Sequence, residues 1–293
     1  MEKGTGTTAG EALRSVFTEL SGAGVPEART EAEFILMHVL GAKRHELFLD
    51  AMRELTADEE KGLEEIVRRR IAREPSQFIF GEAWFRGLEL KVTKDVLIPR
   101  PETELLVDEA VKVAGQLKGE IRLIDLCTGS GCIAVAAAKE IPGSLVYAAD
   151  ISAAALEVAR ENANRAGVAD RVKFFQGDLF GAFSSELRGQ VNMILSNPPY
   201  IAAAKIKTLE PEVKDFEPLW ALSGGPDGLD FIKKIINEAW GFLVPGGVLL
   251  MEMGYGQANA VKGLAESSGA YENIEIIKDY GKIERILKAG RKA

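Results

Sequence analysis

Asn197-Pro198-Pro199-Tyr200 follows directly on the apolar run at 191–195. These residue types suit the capture of a planar NH2 group. Each proline has its φ fixed by the ring and lacks a backbone N–H, so its carbonyl is held stiffly. Asn197 adds a side-chain acceptor and donor beside them. Tyr200 offers either a flat ring for a planar group to lie against or ordinary packing beside a cleft. A conjugated nitrogen is a poor nucleophile, and what such a site can give it is orientation. Asn-Pro and Pro-Pro also serve as plain loop punctuation, so the rest of the chain must decide.

Asp125-Leu126-Cys127-Thr128-Gly129-Ser130-Gly131 is the second chemical signature. It falls where an apolar strand at 121–126 gives way to a helix. That is the carboxyl edge at which doubly wound sheets bind ligands. Gly129 and Gly131 permit a ligand to approach backbone closely, and Cys127, Thr128 and Ser130 complete the turn. Asp150 ends the next strand, placed for ribose hydroxyls. Asp178 ends the third, placed to accept from an adenine amino group. Together they describe a cofactor containing adenosine. Gly129 to Ala134 also satisfies G-x-G-x-x-A with Asp150 about 20 residues on, the fingerprint of a nicotinamide dinucleotide. Three features oppose a dehydrogenase: Asp125 before the turn, an antiparallel end to the sheet, and the Asn-Pro-Pro-Tyr run. S-adenosylmethionine accounts for all three, with its sulfonium near the first strand, its ribose on Asp150 and its methyl aimed at Asn197.

The elements that must position these groups follow from periodicity. Leu13, Val16, Phe17 and Leu20 form one helical stripe, Phe34, Ile35, Val39 and Leu40 a second, and Leu63, Ile66, Val67 and Ile71 a third. Thr56 with Glu59 fits a capping box. Arg68, Arg69, Arg70 and Arg73 read as a solvated face at a helix C-terminus, with contact to an acidic or RNA-bound partner as the sharper alternative. After Pro75, residues 78–81 and 84–92 read as strand and turn, a hairpin joining two domains. Pro101 suits the first turn of a helix, with Glu102 and Glu104 at its positive end. Strands at 121–126, 145–149, 172–176, 191–195 and 248–253 then alternate with helices at 131–140, 152–166, 229–243 and 257–268. That pattern predicts an α/β fold, a parallel sheet with helices on both faces. Strands at 274–278 and 283–287 are joined too briefly for a crossover and must pair antiparallel. The expected domains are a helical one at 1–76, a hairpin linker at 77–99 and a cofactor-binding one at 100–293.

Composition narrows the partners. The chain has 293 residues, 46% hydrophobic and 27% charged, and a net charge of −8. Residues 1–75 carry 11 basic against 15 acidic side chains, so no basic platform for a phosphate backbone is present. Stable nucleic-acid binding is not expected. Cys127 and Cys132 have no accompanying His cluster, so neither a zinc site nor a disulfide framework follows. His38 and His45 lie far from both motifs. No apolar run could span a bilayer and no leader pattern stands at the start, so a cytoplasmic protein, acting as a monomer, is expected.

The sequence resembles the class I methyltransferases that modify planar amino groups. More narrowly, it resembles the bacterial PrmC/HemK family, which methylates the N5 of a glutamine in peptide chain release factors. The resemblance rests on the helical N-terminal region, Trp84, Leu97-Ile98-Pro99-Arg100-Pro101-Glu102-Thr103-Glu104, Asp125 to Gly131, Asn197 to Tyr200, Phe216-Glu217-Pro218 and Asp279-Tyr280-Gly281. Cys127 departs from it, since many members have glycine there. The resemblance implies a seven-stranded Rossmann-like sheet with an antiparallel final strand, S-adenosylmethionine as donor and S-adenosylhomocysteine as product. It implies that Asn197 Oδ1 and the Pro198 carbonyl accept the two N–H bonds of the substrate amide. It also implies that Leu179 packs on the adenine and that the helical domain grips the partner. Arg100 and Glu102 either line the cleft or order the linker. A glutamine methyltransferase acting on a ribosomal protein, and an N6-adenine or N2-guanine methyltransferase, would use the same amide trap.

Overall fold

The computed structural model describes residues 6–293. The chain forms two compact units. One runs up to Gly81 and takes in Pro211–Phe216; the other comprises Glu82–Glu210 and Glu217–Ala293.

The first unit is helical: α1 Ala9–Gly22, α2 Ala28–Leu40, α3 Arg44–Leu49, α4 Ala57–Ile71 and α5 Ser76–Phe80. Capping boxes start α1 (Thr8 with Glu11) and α4 (Thr56 with Glu59). Each satisfies amide donors that the first helical turn leaves without partners. The core gathers Val16, Leu20, Ile35, Leu36, Leu47, Leu63 and Val67. Phe17 and Phe34 were expected on the inner stripes but are exposed. Ala9, Ala12 and Ala32 are buried in the core of this unit instead. Residues 76–80 form a helix rather than the expected strand. The Pro75 carbonyl accepts from the amides of Phe78 and Ile79, and Gly81 ends the turn at φ 77°. Phe80 then stacks on His38, ring centroids 4.2 Å apart.

The arginine run also differs from expectation. Arg68 is solvated, with 70% of its side chain exposed, but Arg70 is only 3% exposed. Arg70 donates to Glu31 at 3.1 Å and to Glu212 at 3.0 Å, and Arg73 donates to Glu212 at 2.7 and 2.6 Å. Glu212 lies on the short segment Pro211–Phe216 that completes this unit. Burial pushes its carboxyl up, but the bonds from Arg73 and Arg70 outweigh that and hold it below the usual range.

The second unit is built on a seven-stranded sheet, preceded by a hairpin of β1 Glu82–Phe85 and β2 Leu88–Lys91 and by helix α6 Glu104–Ala114. Its strands are β3 Arg122–Leu126, β4 Leu145–Asp150, β5 Val172–Gln176, β6 Val191–Ser196, β7 Leu243–Glu252, β8 Tyr271–Lys278 and β9 Glu284–Arg291. The order is β5-β4-β3-β6-β7-β9-β8. β3 to β7 pair in parallel, and β9 runs antiparallel to both β7 and β8. Helices α7 Cys132–Glu140, α8 Ala153–Arg165, α12 Asp230–Ala239 and α13 Ala258–Ser267 cover the sheet, and short helices α9 Ala203–Ile206, α10 Pro211–Lys214 and α11 Leu219–Leu222 fill the long connection after β6. Near-continuous apolar strands such as Val191–Ser196 are what a sheet covered on both faces requires. The helix expected to reach residue 243 stops at Ala239, and β7 begins at Leu243. Pro245-Gly246-Gly247, which reads as a breaker, sits inside β7 where its pairing with β6 shifts register. Gly247 has room for no side chain: a Cβ there would lie 2.9 Å from the Val244 carbonyl and 3.0 Å from that of Asn192. Among the described residues no helix is long and apolar enough to cross a membrane.

Candidate active site

Register brings the strand ends together. Leu126 pairs with Ala149 on one side and Ser196 on the other, and Asp150 pairs with Gln176. The carboxyl ends of β3, β4, β5 and β6 therefore open on one cleft of about 780 Å³, its mouth included. Of the residues expected at the site, Cys127, Gly129, Asp150, Asp178, Leu179, Asn197 and Pro199 line the cleft, joined by Trp220 and Phe231. Thr128, Ser130, Gly131, Pro198 and Tyr200 are not on its wall.

The residues off the wall have structural work in the turn. The Thr128 hydroxyl donates to Asp125 at 2.5 Å. The Ser130 carbonyl accepts from Asn162 Nδ2 at 2.8 Å. Gly131 is required by helix packing rather than by ligand approach, since a Cβ would stand 2.9 Å from Ala159 Cβ of α8. Gly129, at φ 54°, has nothing within 4 Å of such a Cβ and is the glycine that leaves the wall open. Asn162, fully buried on α8, also exchanges two bonds with the backbone of Lys91, at 2.7 and 2.9 Å. One amide thus ties hairpin, helix and glycine turn together, and a lone Asn in a helix gave no sign of it.

The wall is acidic. It carries Asp95, Asp150 and Asp178 and no Lys or Arg. Asp150 accepts from the amides of Gly129 and Ser152, each at 2.9 Å. A carboxylate has about four lone-pair positions, which leaves acceptor capacity for hydroxyls. Asp178 receives Lys234 at 3.3 Å. Asp125, 0% exposed beneath the turn, has no partner for Oδ1 among the described residues. Burial pushes its carboxyl up to about 7, the Thr128 bond pulling the other way. An under-satisfied buried carboxylate favours a cation nearby. The residues present therefore fit a ligand with a positive centre, hydroxyls and an apolar ring.

The Asn197 end is built differently. Asn197 Nδ2 donates to Thr103 Oγ1 at 3.1 Å. Thr103 donates to Glu252 Oε2 at 2.7 Å, and the Tyr200 hydroxyl donates to Glu252 Oε1 at 3.1 Å. Burial, and then the charge of Glu252, raise the Tyr200 hydroxyl well above its ordinary range. Tyr200 is thus a brace here. Thr103 stands within the Leu97–Glu104 motif but was given no role there, and Glu252 was not singled out; its one signal was an acid inside the otherwise apolar run 248–253. Arg100 pairs with the buried Glu217 at 2.5 Å, and Glu217 also accepts from the Ile98 amide at 3.3 Å, so Arg100 orders the segment entering the cleft.

Comparisons with known proteins agree with this architecture. Residues 11–81 match the PrmC N-terminal domain and residues 102–211 the Methyltransferase small domain. A release factor glutamine methyltransferase of Thermodesulfovibrio yellowstonii is 39% identical over 88% of this chain and 90% of its own. One of Koribacter versatilis is 40% identical over 96% of this chain and 98% of its own. Among solved structures, a methyltransferase from Pyrococcus furiosus superposes with a TM-score of 0.53 at 20% identity, covering 77% of this chain and 98% of that one. At that identity the likeness speaks for the fold alone.

Proposed function

Because the chain belongs to the release factor glutamine methyltransferase family, we propose that it moves a methyl group from S-adenosylmethionine to the side-chain N5 of a glutamine in a peptide chain release factor. The observation that carries this reading is the polarity of Asn197. One of its two N–H bonds goes to Thr103, which turns the NH2 that way and leaves Oδ1 as the acceptor for a substrate N–H at the cleft wall. Pro198 does not itself line the cleft, but it stands between Asn197 and Pro199, which do, and its carbonyl, held by two consecutive rings, is assigned the second N–H. With both N–H bonds engaged, the nitrogen lone pair is aimed and the amide is held in place, an orientation effect of several kcal/mol, roughly 7–11 at best. The two acceptors also face the positive charge that grows on nitrogen during transfer, so they bind the transition state more strongly than the ground state. Asp150 holds the ribose hydroxyls, Leu179 and Phe231 flank the adenine, and Asp178 accepts from its amino group. Asp125 and the acidic wall favour the sulfonium. The bound cofactor supplies an electrophilic methyl on a ready leaving group, so no strong general base is required. The helical unit is assigned the grip on the protein partner.

The test is transfer of labelled methyl from S-adenosylmethionine into purified release factor, ribosomal protein and rRNA, by the wild type and Asn197→Ala. Label on a release-factor glutamine, reduced by roughly 10²–10³ in the variant, is the expected result. Label in ribosomal protein or rRNA instead would keep the cofactor and replace the substrate.

A further inference from the structure

An asparagine amide is nearly symmetric in shape, so presenting oxygen rather than nitrogen to a substrate has to be enforced by its neighbours. We propose that Thr103 and Glu252 are positioning residues for the transfer: they fix the Asn197 amide with Oδ1 toward the substrate nitrogen. This rests on the reading of Asn197 given above and supplies its cause.

The argument is a count of protons. Burial pushes the Glu252 carboxyl up, while the bonds from Thr103 and Tyr200 pull it back down; in its ionised form Glu252 only accepts. Thr103 sends its single hydroxyl proton to Oε2 at 2.7 Å, and Tyr200 sends its own to Oε1 at 3.1 Å. Thr103 Oγ1 then has only lone pairs to offer Asn197, which faces it at 3.1 Å. The Asn197 atom on that side must therefore be the NH2. A flipped amide would press its oxygen against the Thr103 oxygen with no proton between them. Thr103 and Glu252 are 1% and 2% exposed, so water cannot step in to rescue the flipped form. Thr103 comes from the turn that precedes α6, Glu252 from the end of β7, and Asn197 from the end of β6. Three separate elements thus converge on one amide. A bond that merely tied the turn to the sheet would need neither the direction of these donors nor Asn197.

Thr103→Val keeps the shape and deletes the hydroxyl, while Thr103→Ser keeps the hydroxyl. Thr103→Val is expected to lower kcat on the order of 10- to 100-fold, with KM and cofactor affinity within about twofold of wild type. Thr103→Ser should restore most of the rate. In an Asn197→Ala background, Thr103→Val should cost nothing further, because it acts through the missing side chain. Additive losses, or equal losses in Val and Ser, would overturn the assignment. An independent readout needs no turnover. With asparagine nitrogens labelled and S-adenosylhomocysteine added, the Asn197 NH2 signals, identified by their loss in Asn197→Ala, should exchange slowly with solvent. In Thr103→Val they should exchange fast. Unchanged exchange sinks the proposal. Slow exchange that Thr103→Val abolishes, in an enzyme that labels no glutamine, upholds the positioning and sinks the substrate reading instead.

Discussion

At the Asn197 end of the cleft the polar side chains satisfy one another, whereas at the Asp125 end they do not. Asn197, Thr103, Glu252 and Tyr200 form a closed run of donors and acceptors. Among the described residues Asp125 Oδ1 has no close hydrogen-bond partner, and Cys127 and Leu179 hold left-handed backbone at φ 58° and 47°. The first arrangement is complete before any ligand arrives, which is what an orienting device needs. The second holds unmet electrostatics that a cationic ligand would relieve, which is what a binding site can use. The two ends should therefore fail separately.

The largest expected effect is that separation itself. Asn197→Ala should lose most of the methyl transfer while cofactor affinity, read by calorimetry, changes by no more than about twofold. Asp150→Ala should weaken cofactor binding by roughly 10- to 100-fold, the loss of hydrogen bonds to a charged group. Its effect includes release of the Gly129 and Ser152 amides that Asp150 now receives. At saturating cofactor it should recover much of its rate. If both variants lose affinity and turnover in the same proportion, the cleft is one coupled site and the contrast between its ends is broken.

The next effect is a pH dependence confined to the Asp125 end. Burial raises that carboxyl to about 7 in the free protein. A bound cation favours the ionised form and lowers the pKa, so binding releases a proton and tightens as pH rises. Between pH 6 and 8 the cofactor affinity should increase by up to roughly tenfold. Asp125→Asn, which can still accept from Thr128, should flatten the profile. An affinity that falls over that interval would mean that no positive centre lies near Asp125.

The contrast also explains what the sequence disclosed. β5 was legible to the residue, and so was the Thr56 cap, because strand period and caps are local properties. The glycine turn and Asn197 were legible because a ligand must meet them at strand ends. Thr103, Glu252 and Asn162 were not. Thr103 and Asn197 are 94 positions apart, Thr103 and Glu252 149, and only the β6–β7 pairing and the turn before α6 make them neighbours. Arg70 was misread for the same reason: its partner Glu212 is 142 positions away. The β7 start was missed because Pro-Gly-Gly signals a turn locally, and only the flanking pairs with β6, Leu243 with Val191 and Val248 with Met193, keep it in the strand.

The smallest effect tests whether the left-handed backbone is part of the unfinished end or an accident of packing. Both Cys127 and Leu179 stand on the cleft wall at positive φ, a conformation that costs an L-residue about 1–2 kcal/mol. Glycine removes that cost but loses about 0.5–1 kcal/mol through the freer unfolded chain. Cys127 is half-buried and its small side chain packs on the edge of the core, so less burial is lost than at Leu179, and Cys127→Gly should stabilise the free protein by up to about 1 kcal/mol. Leu179 is 6% exposed and packs in the core beside Phe180. Leu179→Gly gives up about 1.5–3 kcal/mol of burial, so it should destabilise despite the relieved φ. Urea unfolding of the two variants reads the difference directly. Opposite signs would place the strain in the backbone of the turn. A Cys127→Gly loss as large as that of Leu179→Gly would show instead that the thiol's contacts hold the turn, and that the Asp125 end is as closely fitted as the Asn197 end.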